Sequence, residues 1–325
     1  MRALMGTEFD VHWRDKPLVV VDVGARGGVS ERWSPARPNL CMVAFEPDPA
    51  ECRRLQATAA DPAVRYLPTA LADSAGEVRL NATRNGDTAS VLEPNREFID
   101  KFPEAERFDV VSVVSVPSNT LDAAMVEAGI CGVDALKIDT QGSELQILGG
   151  ARAVARDAFS LEIETEFDRL YVGQPLFRDI DAFADASGFR LFDLQCRRWK
   201  RTRGIEVGGP KGQVVFADAL YLRREASWFE VLDDAGKDAA SRLLHALAIC
   251  LLHGYGTMRS QSWTTVGRFS PTPSEGVSSE RCALIAGRAN VRVRGIGIFV
   301  NRLRDGRRAR SWVPPLGDKR QALGQ

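Results

Sequence analysis

The chain has 325 residues, 44% of them hydrophobic and 26% charged, with 43 Lys/Arg balanced by 43 Asp/Glu. This is the composition of an ordinary soluble globular protein, long enough for one large or two modest domains, and zero net charge excludes a global field that gathers nucleic acid. The six cysteines (41, 52, 131, 196, 250 and 282) form no CxxC pair, which argues against a disulfide framework and for a reduced, cytoplasmic chain.

Residues 1–17 form an N-terminal extension without the apolar core of a signal peptide. A buried strand is predicted at 18–23, helix-like residues at 29–34, a second strand at 41–46 and an amphipathic helix at 48–60 with Leu55 on its apolar side. A third strand begins at 64–67 and reaches 70–73, and 76–81 alternates at period two, as an antiparallel addition does. Residues 82–108 are polar, with Asn-Gly and Pro punctuation, and read as a mobile loop. Then come a strand at 110–116, a short helix at 121–128 capped by Asn119 or Thr120, a strand at 133–138, a helix at 143–156, a strand at 159–164 and a helix at 180–187 ended by Gly188. Strands at 189–194 and 214–222 close the series as a hairpin around a Gly-rich loop at 204–212.

This alternation predicts an α/β fold with a doubly wound, mostly parallel, Rossmann-like sheet over 18–225. The closing pair lacks an intervening helix, so one strand is expected to be reversed. Residues 226–256 read as a helical extension docked on that domain, and their most apolar run, 243–252, is too short to span a bilayer. Residues 257–325 carry 13 Lys/Arg against four Asp/Glu and read as a poorly ordered basic tail. No specific nucleic-acid partner is expected, and the sequence does not give the oligomeric state.

Open α/β sheets place ligands at the carboxyl ends of their strands, and acids and glycines gather there in this sequence. The first strand runs into Asp22-Val23-Gly24-Ala25-Arg26-Gly27-Gly28. The second ends in Glu46-Pro47, 22 residues after Gly24. That is the spacing of a nucleoside fold, in which loop glycines let the backbone approach a ligand and the later acid accepts from ribose hydroxyls. Arg26 replaces the middle glycine of the G-x-G-x-x-G pattern, so no phosphate cradle is offered; Asp22 suits a cationic amino group instead. Asp73 has two open readings, an acceptor for an adenine amino group or an Asp-Ser turn residue. Asp139-Thr140-Gln141-Gly142-Ser143-Glu144 links a strand end to a helix start. There Asp139 or Ser143 caps the helix and Glu144 complements its dipole, or the acids serve a site. Glu162 and Glu164 alternate on one face of an otherwise apolar strand. His12, His245 and His253 read as isolated surface or packing residues, and no metal-ligand spacing is present.

The blocks Val21-Asp22-Val23-Gly24-Ala25, Phe45-Glu46-Pro47, Ala70-Leu71-Ala72-Asp73 with Gly76, Thr120-Leu121-Asp122, and Leu136-Lys137-Ile138-Asp139-Thr140-Gln141-Gly142-Ser143-Glu144 resemble the FkbM-type family of S-adenosylmethionine-dependent methyltransferases over roughly residues 18–222. The last block is that family's most distinctive, usually Lys-Ile-Asp-x-Glu-Gly-x-Glu; Gln141 stands where Glu is usual, and Arg26 where Asn is usual. The resemblance implies a class I methyltransferase fold, S-adenosyl-L-methionine as cofactor, and methyl transfer to a hydroxyl of a small molecule or glycan. It places Asp22, Gly24, Ala25, Arg26, Gly28, Glu46, Pro47, Ala72 and Asp73 at the cofactor. Asp139 is the first choice of general base, Glu164 and Glu162 the second, with Gln141 and Glu144 positioning the acceptor beneath the 82–108 loop. A nicotinamide-dependent oxidoreductase and a non-catalytic nucleoside-binding or scaffold protein remain as alternatives.

Overall fold

Apolar runs in this chain become strands because helices cover them on both sides. The computed structural model describes residues 16–59, 62–203 and 212–255. The N-terminal extension up to residue 15, most of the 204–212 loop and the basic tail lie outside the described residues. Strands β1 (Leu18–Val23), β2 (Leu40–Phe45), β3 (Val64–Leu67), β7 (Ala135–Ile138) and β8 (Ser160–Glu166) join β9 (Phe189–Trp199) and β10 (Gln213–Arg223) in one sheet, ordered β3-β2-β1-β7-β8-β10-β9. The first five pair in parallel, and β10 runs antiparallel to both β8 and β9. It is the expected reversed strand.

One face of this sheet is covered by helices α3 (Leu121–Glu127), α4 (Glu144–Gly149), α5 (Arg152–Asp157) and α6 (Phe177–Ala186). The other is covered by the 3-10 turns of Glu31–Asn39 and by helices α1 (Pro49–Thr58), α7 (Glu225–Ala235) and α8 (Ala239–Leu252). Each fully covered aliphatic side chain, such as Leu18, Met42 or Ile249, contributes about 1.5–3 kcal/mol through burial. Thr120 is the cap of α3, its Oγ1 accepting from Ala123 N at 3.2 Å.

Four local expectations are corrected. The stretch after β1 is 3-10 rather than α-helical, since Pro35 and Pro38 remove donors inside it. The third strand divides at Pro68: β3 stays in the main sheet, while β4 (Ala70–Leu71) joins a second sheet of order β4-β6-β5 with β5 (Gly76–Thr83) and β6 (Val110–Asn119). The strand expected at 110–116 therefore never enters the main sheet. The helix expected at 143–156 breaks after Gly149. At Gly150 a Cβ would lie 2.4 Å from Ala72 O and 3.2 Å from Asp73 Cα, so this close approach requires glycine.

The fourth correction concerns 82–108. The segment contains 3-10 turns at Gly86–Thr88 and Ala105–Phe108 and the short helix α2 (Arg96–Ile99). Phe98, Ile99, Phe102 and Phe108 are buried against Leu170, Tyr171, Trp199 and Val215. The segment has its own core, and its aromatic anchors outweigh its polar punctuation.

Candidate active site

The order of the main sheet reverses between β1 and β7, and the loops after these two strands touch. Gly24 has φ +80, and a Cβ there would lie 1.8 Å from Asp139 O. Gly24 N and Ala25 N both donate to Phe45 O at 3.0 Å, so β2 holds the start of the loop. Gly28, at φ +97, closes the turn by donating to Ala25 O at 2.9 Å. After β2, Glu46 is 3% exposed. Its Oε1 accepts from Asp48 N at 2.9 Å across Pro47, and burial pushes its carboxyl above the usual carboxylate range.

Arg26 lies over this carboxylate. Its Nη1 is 3.9 Å from Glu46 Oε1 and 3.6 Å from Asp48 Oδ2, and its Nε is 4.0 Å from Asp87 Oδ1. The guanidinium packs on the bare backbone of Gly86, where a Cβ would come within 2.4 Å of it. Arg26 therefore links the first loop to the folded 84–109 excursion. Further along the same edge, Ala72 is buried and donates to Asn119 O. Asp73 is exposed, with Oδ1 accepting from Ser74 Oγ at 3.1 Å and Gln146 Nε2 at 3.4 Å. It stands beside α4.

Strand register puts Asp22, Lys137 and Glu162 in one row and Glu164 opposite Asp218 in the next. Lys137 Nζ lies 3.1 Å from Asp22 Oδ1 and 3.6 Å from Asp139 Oδ2. Burial alone lowers the lysine pKa, but the charges of Asp22 and Asp139 outweigh it and hold the ammonium protonated. Asp22 is buried, and desolvation raises its pKa despite Lys137.

Gln141 takes a left-handed φ of 60. Its Nε2 donates to Asp139 Oδ1 at 3.2 Å and to Glu164 Oε1 at 2.5 Å. Its Oε1 lies 3.1 Å from the Tyr171 hydroxyl, which also reaches Thr88 O at 2.9 Å. An amide suits this position, because its N–H groups donate to both carboxyls and a carboxylate there could donate to neither. Burial, then the charges of Asp139 and Glu166, push the Glu164 carboxyl well above its ordinary range. Burial and Asp139 likewise raise Asp218, whose Oδ2 is 3.4 Å from Arg197 Nη2.

Two expected roles change. Glu144 is 3% exposed, and its carboxylate accepts from Thr140 N at 2.8 Å, Thr140 Oγ1 at 3.0 Å and Gly142 N at 3.0 Å. It lies beneath the turn and braces the loop that carries Asp139 and Gln141, so it is not placed to meet an acceptor. Glu162 forms an ion pair with Arg32, whose Nη1 also sits 3.3 Å from His253 Nδ1; a paired carboxylate makes a poor base. His253 is held neutral, its pKa lowered to about 4 by burial and then by Arg32. His245 packs between Asp134 and Lys16 O.

Sequence reasoning missed Tyr171, Asp218 and Arg32. Asp218 did leave a signal, a lone acid inside an alternating apolar strand. Tyr171 and Arg32 lie in irregular segments and left none. Among the described residues no cluster of His, Cys, Asp or Glu has the arrangement of a metal site, and no helix is long and apolar enough to cross a membrane.

The family model for the methyltransferase FkbM domain matches residues 22–191, just over half of the chain. Over 174 residues the chain is 27% identical to the 2-O-methyltransferase NoeI of Sinorhizobium fredii (strain NBRC 101917 / NGR234), a match covering 50% of this chain and 69% of NoeI. Among solved structures, a methyltransferase FkbM from Methylobacillus flagellatus KT aligns at 14% identity and a TM-score of 0.35, across 63% of this chain and 43% of that one. A precorrin-6y C5,15-methyltransferase from Geobacter metallireducens GS-15 aligns at 14% identity and a TM-score of 0.34, across 69% and 92%. This chain therefore spans under half the length of the Methylobacillus protein.

Proposed function

The chain belongs to the FkbM methyltransferase family, and from that premise we propose that it is an S-adenosylmethionine-dependent O-methyltransferase acting on a hydroxyl of a sugar, glycan or related natural product. The observation that carries this reading is the setting of Asp139. Its partly open carboxylate stands between Lys137 and Gln141 at the point where the strand order reverses. The similarity to a 2-O-methyltransferase favours a hydroxyl acceptor.

The residues fit the cofactor. The glycine turn at 24–28 offers bare backbone, Glu46 presents a buried carboxylate to ribose hydroxyls, and Asp22 and Asp139 supply negative charge suited to a cation. Arg26 has to swing away from Glu46 before a ribose can dock there. When bound, the cofactor supplies an electrophilic methyl group on a positively charged sulfur.

The chain's own residues supply position and proton handling. Orientation of the acceptor oxygen can be worth effective molarities of about 10⁵–10⁸ M. Asp139 takes the hydroxyl proton as the acceptor attacks, a general-base role worth about 10²–10⁴. Lys137 sets a positive charge 3.6 Å from the Asp139 carboxylate, and the Gln141 amide fixes its rotamer. Burial raises the Glu164 carboxyl well above its ordinary range, so it gives up a proton less readily than an ordinary carboxyl, which suits a positioning role beside Asp139. The 84–109 excursion covers the acceptor side. Titration calorimetry with S-adenosylmethionine and with NAD, followed by labelled-methyl transfer to a panel of glycans, tests the reading. Binding of NAD alone, or of neither ligand, overturns it.

A further inference from the structure

Strand β6 leaves the body of the protein with one edge open. β5 pairs with it from Thr83 opposite Val110 to Gly76 opposite Ser118. On its other side β4 covers only Ser118 and Asn119. Among the described residues, no strand pairs with that edge over 110–117. Val110, Val111, Val113 and Val114 are exposed by 43%, 61%, 54% and 42%, four of the six large exposed hydrophobics described. Successive residues of a strand face opposite sides, so β6 itself shows valines on both faces, although on β5 the face of Val113 carries Asn81, Arg79 and Glu77.

Protein sheets guard long free edges with lysine, proline, bulges or a covering loop, and a two-stranded ribbon alone is of marginal stability. Between Asp109 and Asn119 this strand carries no charge, and its one proline, Pro117, lies at the far end. The usable run is Val110-Val111-Ser112-Val113-Val114-Ser115-Val116, built of valine and serine alone.

We propose that the β6 edges of two copies of this chain pair antiparallel about a two-fold axis, giving a continuous four-stranded sheet β5–β6–β6–β5. Pairing centred on Val113 sets Val113 against its own copy, Ser112 against Val114, Val111 against Ser115 and Val110 against Val116. Such an interface is isologous, as closed dimers require. No charged side chain of the strand meets another, whereas a charged peptide partner finds no counter-charge on the strand. The one nearby acid bonded to it, Glu77, is engaged with Ser115 Oγ at 2.9 Å. The pairing also ties the dimer to the site, because Arg84 N to Asp109 O and Asn85 N to Arg107 O continue the ribbon into the 84–109 excursion. The dimer does not depend on methyl transfer.

Sedimentation velocity of the full chain from about 1 to 100 μM, the range in which modest interfaces assemble, tests the proposal. The expected result is a species of twice the 35.7 kDa chain mass, shifted to monomer by Val113→Lys. Val126→Lys, at an exposed valine of α3 away from the edge, should leave the mass unchanged. Amide exchange of 110–116 should slow at least tenfold between the lowest and highest concentrations, a readout that needs no variant. A wild-type chain that stays monomeric throughout, a dimer that survives Val113→Lys, or exchange of 110–116 that ignores concentration would each overturn the proposal.

Discussion

Replacing Gly24 with alanine separates backbone strain from a steric clash. Gly24 has φ +80 and a virtual Cβ 1.8 Å from Asp139 O, whereas Gly27 has the same φ of +80 and nothing within 4 Å. Holding an L-residue in the left-handed region costs about 1–2 kcal/mol, and Gly27→Ala should lose that much stability and little else. In Gly24→Ala the carbonyl of Asp139 must also retreat by roughly 1.6 Å, from 1.8 to the 3.4 Å of ordinary contact. Forced repacking of this kind adds about 1–3 kcal/mol. Gly24→Ala should therefore lose about 2–5 kcal/mol in urea denaturation. The retreat also moves the proposed base by more than 1 Å, a displacement that can cost about 10²-fold in rate. If both variants lose the same stability and the same activity, the β1 and β7 loops do not touch as described and the assignment of the site to their junction fails.

Asp139→Asn should lower kcat by about 10²–10⁴ while changing S-adenosylmethionine affinity little; a large loss of affinity at unchanged kcat would move Asp139 to the cofactor. Glu46→Ala should weaken the cofactor by about 1.5–3 kcal/mol in titration calorimetry, since a charge-assisted acceptor is lost, and unchanged affinity would remove the ribose assignment. Arg26→Ala should uncover Glu46 and tighten cofactor binding by about two- to fivefold, the value of a partly exposed ion-pair network; a tenfold weakening would show that Arg26 holds the cofactor. Glu164 titrates higher in the folded chain than unfolded, so its contribution to stability is complete at low pH and is lost as pH rises through the folded value. Glu164→Gln should therefore flatten the fall in Tm as pH rises above the ordinary carboxylate range, and parallel Tm curves for wild type and variant would refute a raised Glu164 carboxyl.

The main sheet was legible because its strands are uninterrupted apolar runs with acids or glycines at their ends. Asp22, Glu46 and Asp139 could be placed at strand ends for that reason, and the motif resemblance is borne out by the family match. The misread segments are those where tertiary contacts override local pattern. Pro68 sends β4 to a second sheet, and Val110 to Val116 look like a core strand because nothing in their sequence says that they face outward. The 82–108 segment carries polar turn signals around four aromatic or aliphatic anchors whose partners lie about 60 to 120 residues away in sequence. Glu144 was legible as an acid at a helix start, but only geometry shows its carboxylate folded back beneath its own turn. Gln141 looks anomalous in the motif, yet its amide is what two neighbouring carboxylates demand.

The aromatic cluster behind the 84–109 excursion has a consequence for how this protein can change. Phe102 and Phe108 stack edge-on against Trp199 at 5.4 and 6.2 Å, Arg107 lies 4.7 Å over the same indole, and Thr202 N donates to Lys101 O at 2.9 Å. The excursion after β5 and the end of β9 thus share one interior although about 90 to 100 residues separate them. Lengthening or shortening either alone would strand the rings of the other. Swapping acceptor-side segments between relatives should succeed only when both are exchanged together, and residues 98–108 should drift in evolution as partners of 199–202, independently of the loops that carry Gly24 and Asp139.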